Sequence, residues 1–83
     1  MDVLYFAWVR EAVGKGSENV APPADVTTVT ELLDWLARDS VPHATAFADR
    51  TRLRAAIDQQ FVPLDALLAG AREVAIFPPV TGG

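Results

Sequence analysis

An α+β fold, with one main helix packed on one face of a mixed five-stranded sheet, is predicted by three observations. Two short runs rich in β-branched and aromatic residues stand at opposite ends of the chain, Val3 to Val9 and Glu73 to Phe77. One segment, Thr28 to Leu36, carries a helix-start signature followed by apolar residues at helical spacing. The 83 residues, 51% hydrophobic and 22% charged, suffice for one packed module; two would each be too small to bury a core.

The elements follow in order. Val3 to Val9 is too short for an apolar helix and reads as a strand with two apolar faces. At a period of two, Val3, Tyr5, Ala7 and Val9 point one way and Leu4, Phe6 and Trp8 the other, so a single covering layer leaves the second row without a partner. Arg10 to Gly14 could form a helical turn stopped by glycine, and Gly14-Lys15-Gly16-Ser17 a connector. Glu18 to Ala21 returns as a second strand, ended by Pro22-Pro23. Thr28-Val29-Thr30-Glu31 is a capping box, in which hydroxyl and carboxylate take up backbone donors that a helix start leaves free. The apolar stripe Val29, Leu32, Leu33 and Leu36 runs on from it, with Trp35 at its rim, and Ser40-Val41-Pro42 ends the run. A short second helix is expected within 43–49. Leu53, Ala55 and Ile57 alternate with Arg52, Arg54 and Ala56 as a half-buried strand, followed by a turn at Asp58-Gln59-Gln60 and a short strand at Phe61-Val62. Residues 63–70 read as irregular, and Glu73 to Phe77 is the last strand, closed by Pro78-Pro79.

Strand, strand, helix, strand, strand, strand is the β-grasp order. The most apolar strands, first and last, are expected side by side at the centre, as a parallel pair covered on both faces. The expected organisation is one domain over 1–83, with 78–83 as a flexible tail.

Composition narrows the chemistry. Eleven acidic against seven basic side chains give a net charge of −4, which argues against nucleic acid and anionic membrane as partners. Cysteine is absent, so no thiolate metal site or cysteine nucleophile exists, and the single histidine, His43, reads as a surface or helix-start residue. Neither a basic leader nor an apolar run of membrane-spanning length stands in the sequence, and the expected location is cytoplasmic. Asp49, Arg50, Arg52 and Arg54 could clamp an anion, but alternating arginines on a strand ordinarily form a solvated face. No self-sufficient active site emerges.

The end of the chain is different. Gly82-Gly83 follows a stiff Pro78-Pro79 and the short step Val80-Thr81, so residues 77–83, extended, reach on the order of 20 Å, enough to enter another protein's pocket. Glycine has no Cβ, so its carbonyl is unhindered and its backbone can thread a narrow channel. A free carboxylate is a poor electrophile, but transfer to the α-phosphate of ATP would make an acyl-adenylate open to attack by sulfur or an amine. From these residues alone a carrier tail and a frayed, functionless terminus both stay open.

The residues 74–83, VAIFPPVTGG, resemble the C-terminal signature of the molybdopterin synthase small-subunit family, ubiquitin-like sulfur carriers of molybdenum cofactor biosynthesis. The opening Val3 to Gly14, with its Arg10-Glu11 turn, is similar to that family's first strand and the turn after it, and the likeness covers nearly the whole chain. Many unrelated functions use the β-grasp order; the FPPVTGG ending is what is specific. The resemblance implies that an E1-like adenylyltransferase activates Gly83 beside Gly82, using ATP. Sulfur from a donor enzyme then replaces AMP. The resulting thiocarboxylate would enter the large synthase subunit and deliver sulfur to cyclic pyranopterin monophosphate, with no metal or permanently bound cofactor in this chain. Phe6, Phe61 and Phe77 match apolar contact positions of the family, each able to contribute about 1.5–3 kcal/mol when buried by a partner. Arg10 matches a family arginine that would help hold the tail or the partner. Two departures stand out: Ala69 to Glu73 keeps only the glycine and glutamate of a common Asp-Gly-Asp-Glu turn, and Trp8 replaces a residue that is often polar. A carrier for thiamine or another sulfur pathway, a protein modifier joined through Gly83, and a plain binding module are the alternatives.

Overall fold

The computed structural model describes residues 1–79; Val80, Thr81, Gly82 and Gly83 lie outside the described residues. Five strands form one mixed sheet: β1 (Asp2–Tyr5), β2 (Ser17–Asn19), β3 (Arg54–Ile57), β4 (Gln60–Val62) and β5 (Glu73–Phe77), in the order β2-β1-β5-β3-β4. The last strand lies at the centre, paired in parallel with β1 from Asp2↔Glu73 to Tyr5↔Ile76 and antiparallel with β3 from Arg54↔Phe77 to Ile57↔Val74. This is the expected β-grasp arrangement. Helices α1 (Ala7–Val13), α2 (Val29–Ala37) and α3 (Val41–Ala46) pack on one side of it.

Side-chain alternation divides the sheet. Val3 and Tyr5, Ala55, and Val74 and Ile76 point into the core with Leu32, Leu33 and Phe47, all essentially inaccessible to solvent. The capping box forms as expected: Glu31 N–H donates to Thr28 Oγ1 at 3.1 Å, and Glu31 Oε1 accepts from Thr28 N–H at 3.1 Å. The irregular 63–70 stretch finishes the same helix start. Val29 N–H and Thr30 N–H donate to the carbonyls of Ala66 and Leu64, so a distant loop takes up two donors with no partner inside the helix.

Three expectations are corrected. The strand read over Val3 to Val9 stops at Tyr5. After Phe6 the chain turns through a positive φ of 54° at Ala7 into α1, because Val9 and Val13, four apart, are buried as a helical pair. Gly14, at φ 90°, closes that helix in the left-handed conformation. The supposed row Leu4-Phe6-Trp8 is therefore split. Ser40-Val41-Pro42 does not simply end α2, whose last residue is Ala37; it starts α3, with Ser40 as N-cap and Pro42 in the first turn. Arg52 is not a strand residue but the end of a 3₁₀ turn, Arg50–Arg52, before β3.

The β3–β4 hairpin turns on Asp58 and Gln59, both at positive φ (48° and 70°), the geometry of a turn that prefers glycine at its second position. Asp58 Oδ1 accepts from the N–H groups of Arg72 and Glu73, each at 3.0 Å, fixing the turn to the start of β5. Gln59→Gly, which relieves the strain without disturbing Asp58, is expected to raise stability by about 0.5 kcal/mol. A lower denaturant midpoint for that variant would show that Gln59 contributes more than its backbone strain costs.

Candidate functional site

Opposite the helices, the sheet presents an apolar face. Directly paired residues share a face, so Leu4, Ala75, Ala56 and Phe61 form a row across four strands, with Arg54 and Phe77 paired next to it. Phe61, on the edge strand, is 79% exposed, and Phe6, at the end of β1, is 48% exposed. The rings of Phe61 and Phe77 meet at 5.6 Å between centroids. Phe6, Phe61 and Phe77 thus stand around one shallow hollow of about 370 Å³, with buried Ala56 and Ala75 among its lining and Gln59 and Glu73 as its polar residues. Large aromatic side chains left in water beside small buried ones expose surface that association would cover.

The chain leaves β5 at this face. Pro78 is half-buried and Pro79 exposed, and Pro79 lines a second hollow with Arg54, Phe61 and Phe77. The structure thereby brings together four of the residues singled out from sequence, Phe6, Phe61, Phe77 and Pro79, with Pro78 between the last two. Arg10 does not join them: it lines a separate polar hollow with Glu11, Gly14, Lys15 and Gly16. Val80, Thr81, Gly82 and Gly83 are outside the described residues.

Sequence reasoning missed a buried polar cluster on the helix side. His43 stands at a helix start, as expected, yet is only 7% exposed, which corrects its surface reading. Its Nε2 lies 2.6 Å from Glu18 Oε2, which also accepts from the Tyr5 hydroxyl at 2.6 Å, while Ser40 Oγ lies 2.6 Å from His43 Nδ1. Burial opposes the Glu18 charge. The hydrogen bonds from Tyr5 and His43, and the charges of His43 and Lys15, prevail and hold the carboxyl below the usual range. Burial, with the neighbouring Glu18, pushes the Tyr5 phenol up. Edge-on contacts place the imidazole between Tyr5 and Phe47, at 5.9 and 5.8 Å. The cluster ties β1, β2 and α3 together. Its signal was non-local, since Glu18 and His43 are 25 residues apart.

Among the described residues, no group of three or more His, Asp or Glu side chains could hold a metal ion, and no helix is long and apolar enough to cross a membrane.

The sequence profile of the ThiS family matches residues 3–83. The molybdopterin synthase sulfur carrier subunit of Escherichia coli is 47% identical over 81 residues, covering 98% of this chain and 96% of that protein. The protein of the same name from Haemophilus influenzae is 34% identical over 83 residues, covering 100% and 99%. Among solved structures, SAMP1 from Haloferax volcanii superposes with a TM-score of 0.70 at 26% identity, covering 100% of this chain and 98% of that one. A putative molybdopterin converting factor subunit 1 from Pyrococcus furiosus gives the same TM-score at 23% identity, with 95% of each chain covered, a likeness of fold.

Proposed function

Because the chain belongs to the ThiS family, we propose that it is the sulfur carrier subunit of a molybdopterin synthase, loaded and unloaded at the carboxylate of Gly83. The observation that carries this reading is positional. The central strand ends at Phe77 within the apolar Phe6–Phe61–Phe77 face, and Pro79 lines a hollow beside it, so a protein that covers that face also meets Pro79, four residues before Gly83 in the chain. Two full-length relatives bearing the sulfur-carrier name support it.

In this reading no side chain of this protein acts as acid, base or nucleophile; the reacting group is the Gly83 carboxylate itself. An E1-like adenylyltransferase joins the Gly83 carboxylate to the α-phosphate of ATP, releasing pyrophosphate. A sulfur donor displaces AMP, leaving a thiocarboxylate. The large synthase subunit then seats the Phe6–Phe61–Phe77 face, takes Pro78 to Gly83 into its pocket and transfers the sulfur to cyclic pyranopterin monophosphate. Pro78 and Pro79 limit the conformations the tail loses on entry, and Gly82 and Gly83 pass where a Cβ would obstruct. Arg10 serves as a flanking polar contact. The domain is a single unit over 1–83 that works in the cytoplasm.

Intact-mass measurement tests this. After incubation with the E1-like enzyme, ATP and a sulfur donor, the chain is expected to show one oxygen replaced by sulfur, and a chain with one residue appended after Gly83 to stay unchanged. An unaltered native chain, under conditions that load the Escherichia coli relative, would refute the proposal. Conjugates joined to lysine through Gly83 would instead identify a protein modifier, the reading favoured by the likeness, at a TM-score of 0.70 and 26% identity, to a Haloferax volcanii structure named small archaeal modifier protein 1.

A further inference from the structure

We propose that Arg52 and Arg54 form a fixed pair of cations at the root of the tail that recognises an acidic rim on the protein whose pocket receives it, an inference that rests on the carrier reading above. Strand direction brings them there. Because β1 runs parallel to β5, the start of α1 stands at the same edge as Phe77; because β3 runs antiparallel, Arg54 and the turn before it stand there too. Trp8 and Arg52 therefore flank the end of β5 from opposite sides. Across it, the Arg52 guanidinium lies 4.7 Å from the centroid of the Trp8 ring. Arg54, opposite Phe77 in the ladder, lines the same hollow as Phe61 and Pro79.

Both guanidinium groups are held in place by uncharged partners. Arg54 Nη1 donates to the carbonyls of Leu53 at 2.8 Å and Thr51 at 3.2 Å, and Arg52 rests on the indole. Among the described residues neither has a carboxylate within ion-pair distance, whereas Arg50 pairs with Asp34 at 2.7 Å and Lys15 with Glu18 at 3.6 Å. The nearby Asp49 carboxylate is engaged by the hydroxyl and N–H of Thr51, and the Arg52 charge helps hold it below the usual range without an ion pair between them. Two exposed cations in no ion pair among the described residues, in a chain of net charge −4, complement a negative surface. Their tethering reduces the rotamer freedom lost on binding. The anion these cations fit is a carboxylate cluster on the large synthase subunit, beside the pocket that receives the tail.

The test measures binding of the full chain to the large synthase subunit of the same organism, by surface plasmon resonance at about 50 and about 500 mM salt. The double variant Arg52→Gln/Arg54→Gln is expected to bind about three- to tenfold more weakly at low salt, chiefly through a slower association rate, with a flattened salt dependence. Phe61→Ala is expected to weaken binding at both salt concentrations while keeping the native slope. Native affinity and slope in the double variant, with Phe61→Ala impaired, would overturn the cation pair and leave the carrier reading intact. If the native chain fails to bind that subunit at all, the carrier reading fails and this inference with it.

Discussion

Phe61→Ala is expected to weaken association with the large synthase subunit by about 10- to 100-fold while leaving the fold intact. The ring is 79% exposed in the free chain, so nearly all of its apolar surface is still available for a partner to bury. Moving a phenylalanine from water into a packed interface is worth about 1.5–3 kcal/mol, which corresponds to that range of affinity. Within the chain Phe61 stacks on Phe77 alone among aromatic rings of the described residues, so its loss should lower stability by no more than about 1 kcal/mol. Phe77→Ala is a poorer probe, because Phe77 belongs to the central strand and is half-buried already. Isothermal titration of the two purified proteins, beside a denaturation curve of the variant, checks both halves. Native affinity in Phe61→Ala would remove the apolar face from the docking surface.

Glu18→Ala is expected to cost about 2–4 kcal/mol of folding stability. The substitution strips the acceptor from the buried Tyr5 hydroxyl and from His43 Nε2 together, and an enclosed donor without a partner carries its full desolvation penalty. Glu18→Gln keeps one acceptor oxygen and should lose less. The pH dependence follows from the lowered carboxyl. A group whose pKa is depressed on folding contributes stability that is present above its unfolded value, near 4.5, and is lost as pH falls through the lower folded value. Native stability should therefore decline below about pH 4.5, and Glu18→Gln should flatten that acid limb. Tyr5 acts at the other end. Its phenol is raised on folding, so its contribution is complete below about pH 10 and is lost as pH rises beyond it. Urea midpoints measured from acid to alkaline pH compare the variants. An unchanged acid limb in Glu18→Gln would mean that other carboxylates govern acid unfolding.

Much of this was legible along the chain, and particular residues show why. Glu73 to Phe77 is a strand with the bounds its composition suggests, since β-branched and aromatic residues between Arg72 and Pro78 leave no alternative of comparable length. The Thr28–Glu31 box and the buried stripe of Val29, Leu32 and Leu33 follow from spacing alone. The Phe6 to Val9 stretch failed because a short apolar run has no period of its own. Val9, Ala12 and Val13 at helical spacing, closed by Gly14, were the available signal. His43 stands at a helix start as read, but its burial was not legible, for a different reason: its partners Tyr5 and Glu18 arrive from β1 and β2, and no local pattern marks them.

By itself the sequence determined the β-grasp order, the central pairing of first and last strands and the family of the FPPVTGG ending. Hydrophobic period, capping chemistry and a terminal motif are all properties of neighbours along the chain. Only the tertiary structure decided that Phe6, Phe61 and Phe77 share one open face, that Arg10 stands apart from it, and that Arg52 reaches Trp8 across the end of β5. Those relations join residues tens of positions apart. They depend on strand direction and register, which are set when the whole sheet packs against its helices.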